Sequence, residues 1–186
     1  LSARFVGGKR FDTLQQCELS VLPKTMDIMA LAYAAVIAEA VEKLTEDYSP
    51  QEEIFVLLQQ ALVLLSSHNK RIVVVSSLCK LLSLCGFDPE LEACTACHEK
   101  IEGDAYFSTV QGGVVCDHCS TGAELPFAVG TRELMFKLQR LDFEKPEKFV
   151  VRGADLMQLE QTLYKFLVYQ TDKPLVSLQF LAQMSV

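Results

Sequence analysis

The chain has 186 residues, half of them hydrophobic, with no tryptophan and a formal net charge of −7. That length suits one domain, or one domain with a small companion, and allows a large core. No apolar run reaches the ~18 residues of a membrane span, and the opening LSARFVGGKRF lacks the long apolar segment of a signal peptide.

The charge is unevenly spread: residues 1–24 carry +2, residues 25–130 carry −10 and residues 131–186 carry +1. A surface that grips phosphate needs clustered Lys and Arg, and the middle of the chain does not offer one. Cys17, Cys79 and Cys85 lie outside the cysteine cluster described below, an odd number in apolar surroundings. That usage fits a reducing cytoplasm better than a secreted protein. The chain begins at Leu rather than Met, so residue 1 need not be the true start.

Residues 1–24 read as strand. Ala3-Arg4-Phe5-Val6, a Gly7-Gly8 break and an alternating run over 17–22 suit a short β segment. Two or three strands cannot form an independent sheet in water. They either pack on the helices that follow or are the remnant of a larger β domain.

From 26 to about 47 the pattern is helical. Met29, Ala32, Val36, Ala40 and Leu44 recur at spacings of three and four, with Ile37 and Val41 widening the stripe. Ser49-Pro50-Gln51-Glu52 predicts a capping box that opens a second helix, carried by Ile54, Leu57, Leu58, Ala61, Leu62 and Leu65 to about residue 67. Val73-Val74-Val75 alone would suit a strand. The longer spacing of Val74, Leu78, Leu81, Leu82 and Cys85 predicts a third helix over 71–84, ended by Gly86 and Pro89.

Residues 91–121 hold the chemistry: Cys94, Cys97, Cys116 and Cys119, two C-x2-C turns separated by eighteen residues. Each turn aims two sulfurs at one point, and a hairpin that brings the turns together completes a tetrahedron of thiolates around Zn²⁺. Ala105 to Val110 predicts one strand, Gln111-Gly112-Gly113 the turn and Val114-Val115-Cys116 the return, with Ile101, Tyr106, Phe107 and Val114 as the small core. Disulfides or unrelated thiols are the competing readings. His98 and His118 adjoin ligands, but four cysteines saturate the site. The two rings are therefore expected to be solvated or to support the ligands from outside. A saturated zinc is structural, which excludes a zinc hydrolase or deaminase.

After this module a helix is predicted from Gly130-Thr131 to about 141. On its wheel Leu134, Leu138 and Leu141 form the core face, and Arg132, Phe136 and Arg140 fall nearly opposite. A linker with a short extended piece over 148–152 follows. Asp155 then opens a helix that buries Leu156, Leu159, Leu163, Phe166 and Leu167, Lys173-Pro174 breaks it, and 176–184 closes the chain as a short apolar helix. The fold class is mainly α: about six helices over 25–186 with a zinc-ribbon-like hairpin at 91–121 inserted, preceded by the β segment at 1–24.

This arrangement resembles the C-terminal part of the RecO family, bacterial recombination mediators, over roughly residues 27–186. The stretches that carry the resemblance are IMALAYAAVIAEAVEKL, LCGFDPELEACTACHE, FSTVQGGVVCDHC and LYKFLVYQTDKPLVSLQFL. It implies an N-terminal OB-fold, of which residues 1–24 would be the last strands, followed by a helical domain with a zinc motif. It further implies binding of single- and double-stranded DNA, work with RecR, contact with the SSB tail, help in loading RecA, and strand annealing. The implied location is the bacterial cytoplasm, at the nucleoid during repair. No Walker-type nucleotide loop is present, so a non-enzymatic mediator is expected.

DNA contacts are expected from Arg4, Lys9 and Arg10, since residues 91–121 hold one lysine against five acids; the competing reading is that these three basic residues are merely solvated. An SSB tail ends in acidic residues and a terminal Phe, which Arg132, Phe136 and Arg140 would suit; the competing reading is that another helix covers Phe136 and both arginines pair with local acids such as Glu133 or Asp142. The alternative is a zinc-stabilised interaction scaffold or regulator with no DNA role.

Overall fold

The structure is a computed structural model that describes residues 2–8, 11–18, 26–47, 49–146 and 150–184. Strands β1 (Ser2–Val6) and β2 (Thr13–Glu18) pair antiparallel, with a bulge between Arg4 and Phe5. Both strands are exposed throughout, including Phe5, Val6 and Leu14. The second strand therefore lies earlier than the predicted 17–22, and residues 19–22 of that expectation fall outside the described residues.

Three helices follow: α1 (Ile28–Leu44), α2 (Glu52–Leu65) and α3 (Lys70–Leu84). Asp27 caps α1 by accepting the Ala30 N–H at 2.7 Å, and its other oxygen meets Lys70 Nζ at 3.0 Å. One carboxylate thus ties the starts of α1 and α3. Asn69 caps α3 through the amides of Arg71 and Ile72. At the other end Gly86, at φ +79°, sits in the left-handed region. It lets Gly86 N–H reach Ser83 O at 3.1 Å and Phe87 N–H reach Leu82 O at 2.8 Å, the paired bonds of a Schellman stop.

The predicted capping box of α2 does not form. Ser49 N–H closes a turn onto Glu46 O, which leaves Ser49 two residues ahead of the N-cap position; its hydroxyl accepts from Gln51 instead. Gln51 takes the N-cap position without a side-chain cap, and Glu52 and Glu53 place negative charge by the free amides.

The chain then builds a three-stranded antiparallel sheet in the order β4-β3-β5. Its strands are β3 (Ala105–Ser108), β4 (Gly113–Val115) and β5 (Leu125–Phe127). Returning to helix, it forms α4 (Val129–Gln139), α5 (Gly153–Thr171) and α6 (Val176–Met184). Of the predicted extended piece over 148–152, residues 148 and 149 lie outside the described residues.

The middle of the bundle is α3, which packs against α1, α2, α4 and α5. Val74, Val75, Leu78, Cys79, Leu81 and Leu82 are wholly buried. Burying each such aliphatic side chain contributes about 1.5–3 kcal/mol, so Leu78→Ala alone would cost about 2–5 kcal/mol. Polar groups on α3 also set the end of α4. Ser76 Oγ donates to Leu138 O at 2.6 Å and Lys80 Nζ to Gln139 O at 2.8 Å, so these carbonyls are satisfied where α4 stops. Its start is fixed from outside too: Val129 N–H reaches Asp104 Oδ1 and Ala128 N–H reaches Gln158 Oε1, both at 2.9 Å. The helix therefore begins one residue before the expected Gly130-Thr131 and ends two short of Leu141. At the far end α6 packs on α1, where Glu39 accepts the amides of Val176 and Ser177.

Candidate metal centre

Two tight turns converge. In the first, His98 N–H closes onto Cys94 O at 2.8 Å, with His98 at φ 63°. In the second, the amides of Cys119 and Ser120 both close onto Cys116 O. The turns are drawn together because Thr95 N–H pairs with Val114 O at 2.9 Å and Cys116 N–H points at Cys94 Sγ at 3.4 Å.

All four sulfurs lie within 4.8 Å of one another, and Cys97 Sγ stands 3.8 Å from Cys116 Sγ. A tetrahedron with metal–sulfur bonds of about 2.3 Å has edges of about 3.8 Å, so the sulfurs sit where a four-thiolate metal site requires them. Cys94 is buried, Cys97 is exposed, and Cys116 and Cys119 lie between. Burial pushes the Cys94 thiol up, but the amides of Cys116, Cys97 and Ala96 outweigh it and bring it down to about 6. Cys119 is pushed up to about 12 by the neighbouring Cys116 and Cys97 sulfurs.

Two glutamates frame the turns, and the sequence reading passed over both. Glu90 Oε1 accepts the amides of Glu92 and Ala93, ordering the segment before the first turn. Glu124 accepts from Ser120 Oγ, Thr121 N, Thr121 Oγ1 and Gly122 N, ordering the segment after the second. Its own backbone amide, with the Ser120 and Thr121 donors, holds the Glu124 carboxyl down at about 2 against the opposing effect of burial. The available signal was an acid two to four residues from Ser, Thr and Gly beside a cysteine turn.

The hairpin is sutured to the bundle. Phe107 on β3 meets Phe127 on β5 at 5.3 Å and Phe166 on α5 at 5.4 Å, ring centroid to centroid. Ile101, Phe107 and Val114 are buried as expected, while Tyr106 is half-exposed with its hydroxyl toward Asp117. His98 and His118 are exposed and are not part of the four-sulfur cluster.

The other candidate residues are dispersed. Arg4 is exposed on β1, opposite Gln16, and makes no ion pair among the described residues; Lys9 and Arg10 lie outside them. Arg140 is exposed, its guanidinium 6.0 Å from the centroid of the half-buried Phe136. Arg132, expected on the same open face, is instead 6% exposed and its Nη1 has no hydrogen-bond partner. The reason is packing: α4 is held by both α3 and α5, which narrows its open face to Glu133, Lys137 and Arg140. No helix among the described residues is long and apolar enough to cross a membrane.

Comparison with known proteins follows the same lines. Residues 26–179 match the family model "Recombination protein O C terminal". The chain is 30% identical over 178 residues to the DNA repair protein RecO of Pelotomaculum thermopropionicum, covering 94% of this chain and 70% of that one. The RecO protein of Desulforamulus reducens is 28% identical over 179 residues, with the same coverage. That of Bacillus pumilus is 29% identical over 177 residues, covering 92% and 69%. A match of this extent, spanning the helices on both sides of the four-cysteine hairpin, shows that the chain belongs to the RecO family of DNA repair proteins.

Proposed function

We propose that this chain is the helical, zinc-bearing part of a non-enzymatic recombination mediator. It binds single- and double-stranded DNA, RecR and the acidic tail of SSB, assists the loading of RecA and promotes annealing in the bacterial cytoplasm. The observation that supports a mediator over a catalyst is the donor set itself. Four cysteine sulfurs converge within 4.8 Å, and four thiolates fill a tetrahedral ion, leaving no position for water or substrate. Zn²⁺ is the ion such a set selects, because thiolates are soft ligands and the spacing is tetrahedral. Cys94, Cys97, Cys116 and Cys119 hold it, and its part is to fix the hairpin.

DNA contact falls to the N-terminal region, with Arg4, Lys9 and Arg10, because the thiolate centre and the acids of 91–121 repel phosphate. Binding should weaken steeply with salt, and reversing those three charges should lower both the affinity and the salt slope. If neutralising the acids of the module alters binding more, that assignment is wrong. The SSB tail is assigned to the end of α4, where Arg140 lies over Phe136 at the surface, while Arg132 is buried and does not reach that face. A labelled acidic peptide ending in Phe is titrated against the wild type and against Arg132→Glu/Arg140→Glu and Arg140→Glu alone. Equal affinities in equally folded proteins would remove α4 from consideration.

A second reading, a scaffold with no DNA role, is favoured by the −10 balance of residues 25–130. Affinity for single-stranded DNA that ignores salt, or no affinity at all, would select it.

A further inference from the structure

The four sulfurs are unequal in a way their role as ligands does not require. Cys94 is wholly buried and accepts the Cys116 N–H, whereas Cys97 is exposed and its sulfur is 3.8 Å from that of Cys116, on the opposite turn. Metal-bound cysteines are thiolates, and an exposed thiolate with a second one in contact is the arrangement in which oxidation ends in a disulfide rather than in overoxidation. Around it the module presents Glu92, Glu99, Glu102 and Asp117, all exposed, with Glu99 Oε2 only 3.9 Å from Cys97 Sγ. Anionic reagents are repelled there; a small neutral one is not.

We propose that Cys97 is a modification site for hydroperoxides, and that its oxidation joins it to Cys116 and opens the metal centre. The inference rests on the four-thiolate reading above. In the first step the Cys97 thiolate attacks one peroxide oxygen, the O–O bond breaks, hydroxide leaves and a sulfenic acid forms. In the second the Cys116 thiolate attacks that sulfur, the S–O bond breaks and a second hydroxide leaves. The two sulfurs together lose two electrons, the peroxide oxygens gain them, and two protons from solvent convert both hydroxides to water. Cys94 and Cys119 then remain as two ligands, too few to retain the ion. The other thiols do not compete for this outcome: Cys79 is fully buried, Cys85 is partly buried, and Cys17 lies on β2 in the N-terminal hairpin.

The test uses the full chain in a Cys17→Ser background, with bound zinc measured before any oxidant is added. A chain that holds no metal at that point fails the four-thiolate reading itself and is thereby distinguished. Equimolar hydrogen peroxide should release one equivalent of zinc, followed by a chromogenic chelator, and peptide mass mapping should find Cys97 linked to Cys116. Oxidised glutathione, an anion, should act on the order of tenfold more slowly. Cys97→His, which keeps four ligands but removes the thiolate, should slow release by peroxide on the order of tenfold. Zinc retained through equimolar peroxide, a disulfide mapped within one turn between Cys94 and Cys97, or wild-type release from a zinc-loaded Cys97→His protein would each overturn the proposal. Should that variant fail to hold zinc, the wild-type disulfide map decides alone.

Discussion

Arg71 on α3 and Glu160 on α5 are joined by two parallel hydrogen bonds, Nε to Oε1 at 2.9 Å and Nη2 to Oε2 at 2.6 Å. Donating these hydrogen bonds to Glu160 raises the Arg71 pKa against the smaller opposing effect of burial. The fork fixes how the two helices sit. The Arg71 side chain is 44% exposed, so water screens the pair and the coupling should be modest. A double-mutant cycle of Arg71→Ala and Glu160→Ala in urea should give about 1 kcal/mol. A coupling indistinguishable from zero would reduce the fork to a surface contact.

Metal removal should act beyond the hairpin. Phe107 carries the hairpin into the bundle through Phe127 and Phe166, so losing the ion loosens packing against α5 as well. Cys116→Ser should lose the bound zinc and destroy the hairpin while most helical circular dichroism survives, since structural zinc contributes on the order of 10 kcal/mol to such modules. Near-ultraviolet signals from the tyrosines and phenylalanines should change with it. A metal-free protein whose hairpin amides keep their exchange protection would refute the account.

Acid should release α6 first. Burial pushes the Glu39 carboxyl up, but the Ser177 hydroxyl and amide, the Val176 amide and Lys43 together bring it below its ordinary 4.5. A depressed folded pKa means the stabilisation is fully present above about pH 4.5 and is lost as pH falls through the folded value below it. Protection against hydrogen exchange at residues 177–181 should therefore fall, ahead of the rest of the bundle, as pH drops below 4.5. Glu39→Gln should lose that pH dependence; an unchanged acid profile in the variant would show that another group controls it.

Backbone conformation offers a pair of opposite changes. Gly86 is left-handed with open space where a Cβ would stand, so Gly86→Ala meets only the torsional penalty and should cost about 1 kcal/mol. His98 occupies the same region with a side chain, so His98→Gly should relieve strain at the first cysteine turn and leave zinc affinity equal or higher. Thermal unfolding of the two zinc-loaded variants should move in opposite directions.

Much of this was legible from residue order, and the failures share a cause. The helical stripes and the C-x2-C spacing are local patterns, so six helices and the converging cysteines could be read directly. What required the third dimension was missed. Strand β5, Leu125-Pro126-Phe127, is only three residues long with a proline in the middle, and it is a strand because β3 pairs with it. Ser49 and Thr131 look like helix caps in sequence, but the turn after α1 displaces the first, and the second turns its hydroxyl to Gln158 on α5. Arg132 was placed on the open side because a wheel supposes one buried face, whereas α4 has neighbours on two.

The packing of α6 on α1 has a consequence for biosynthesis. Val176 donates its amide to Glu39 across a sequence separation of 137. A ribosome adding about 5–20 residues per second needs roughly seven to twenty-seven seconds to cover that span. For that interval the side of α1 that will receive α6 has no partner from its own chain. That side of α1 is thus completed only once α6 has been made, and until then it stays open to other molecules.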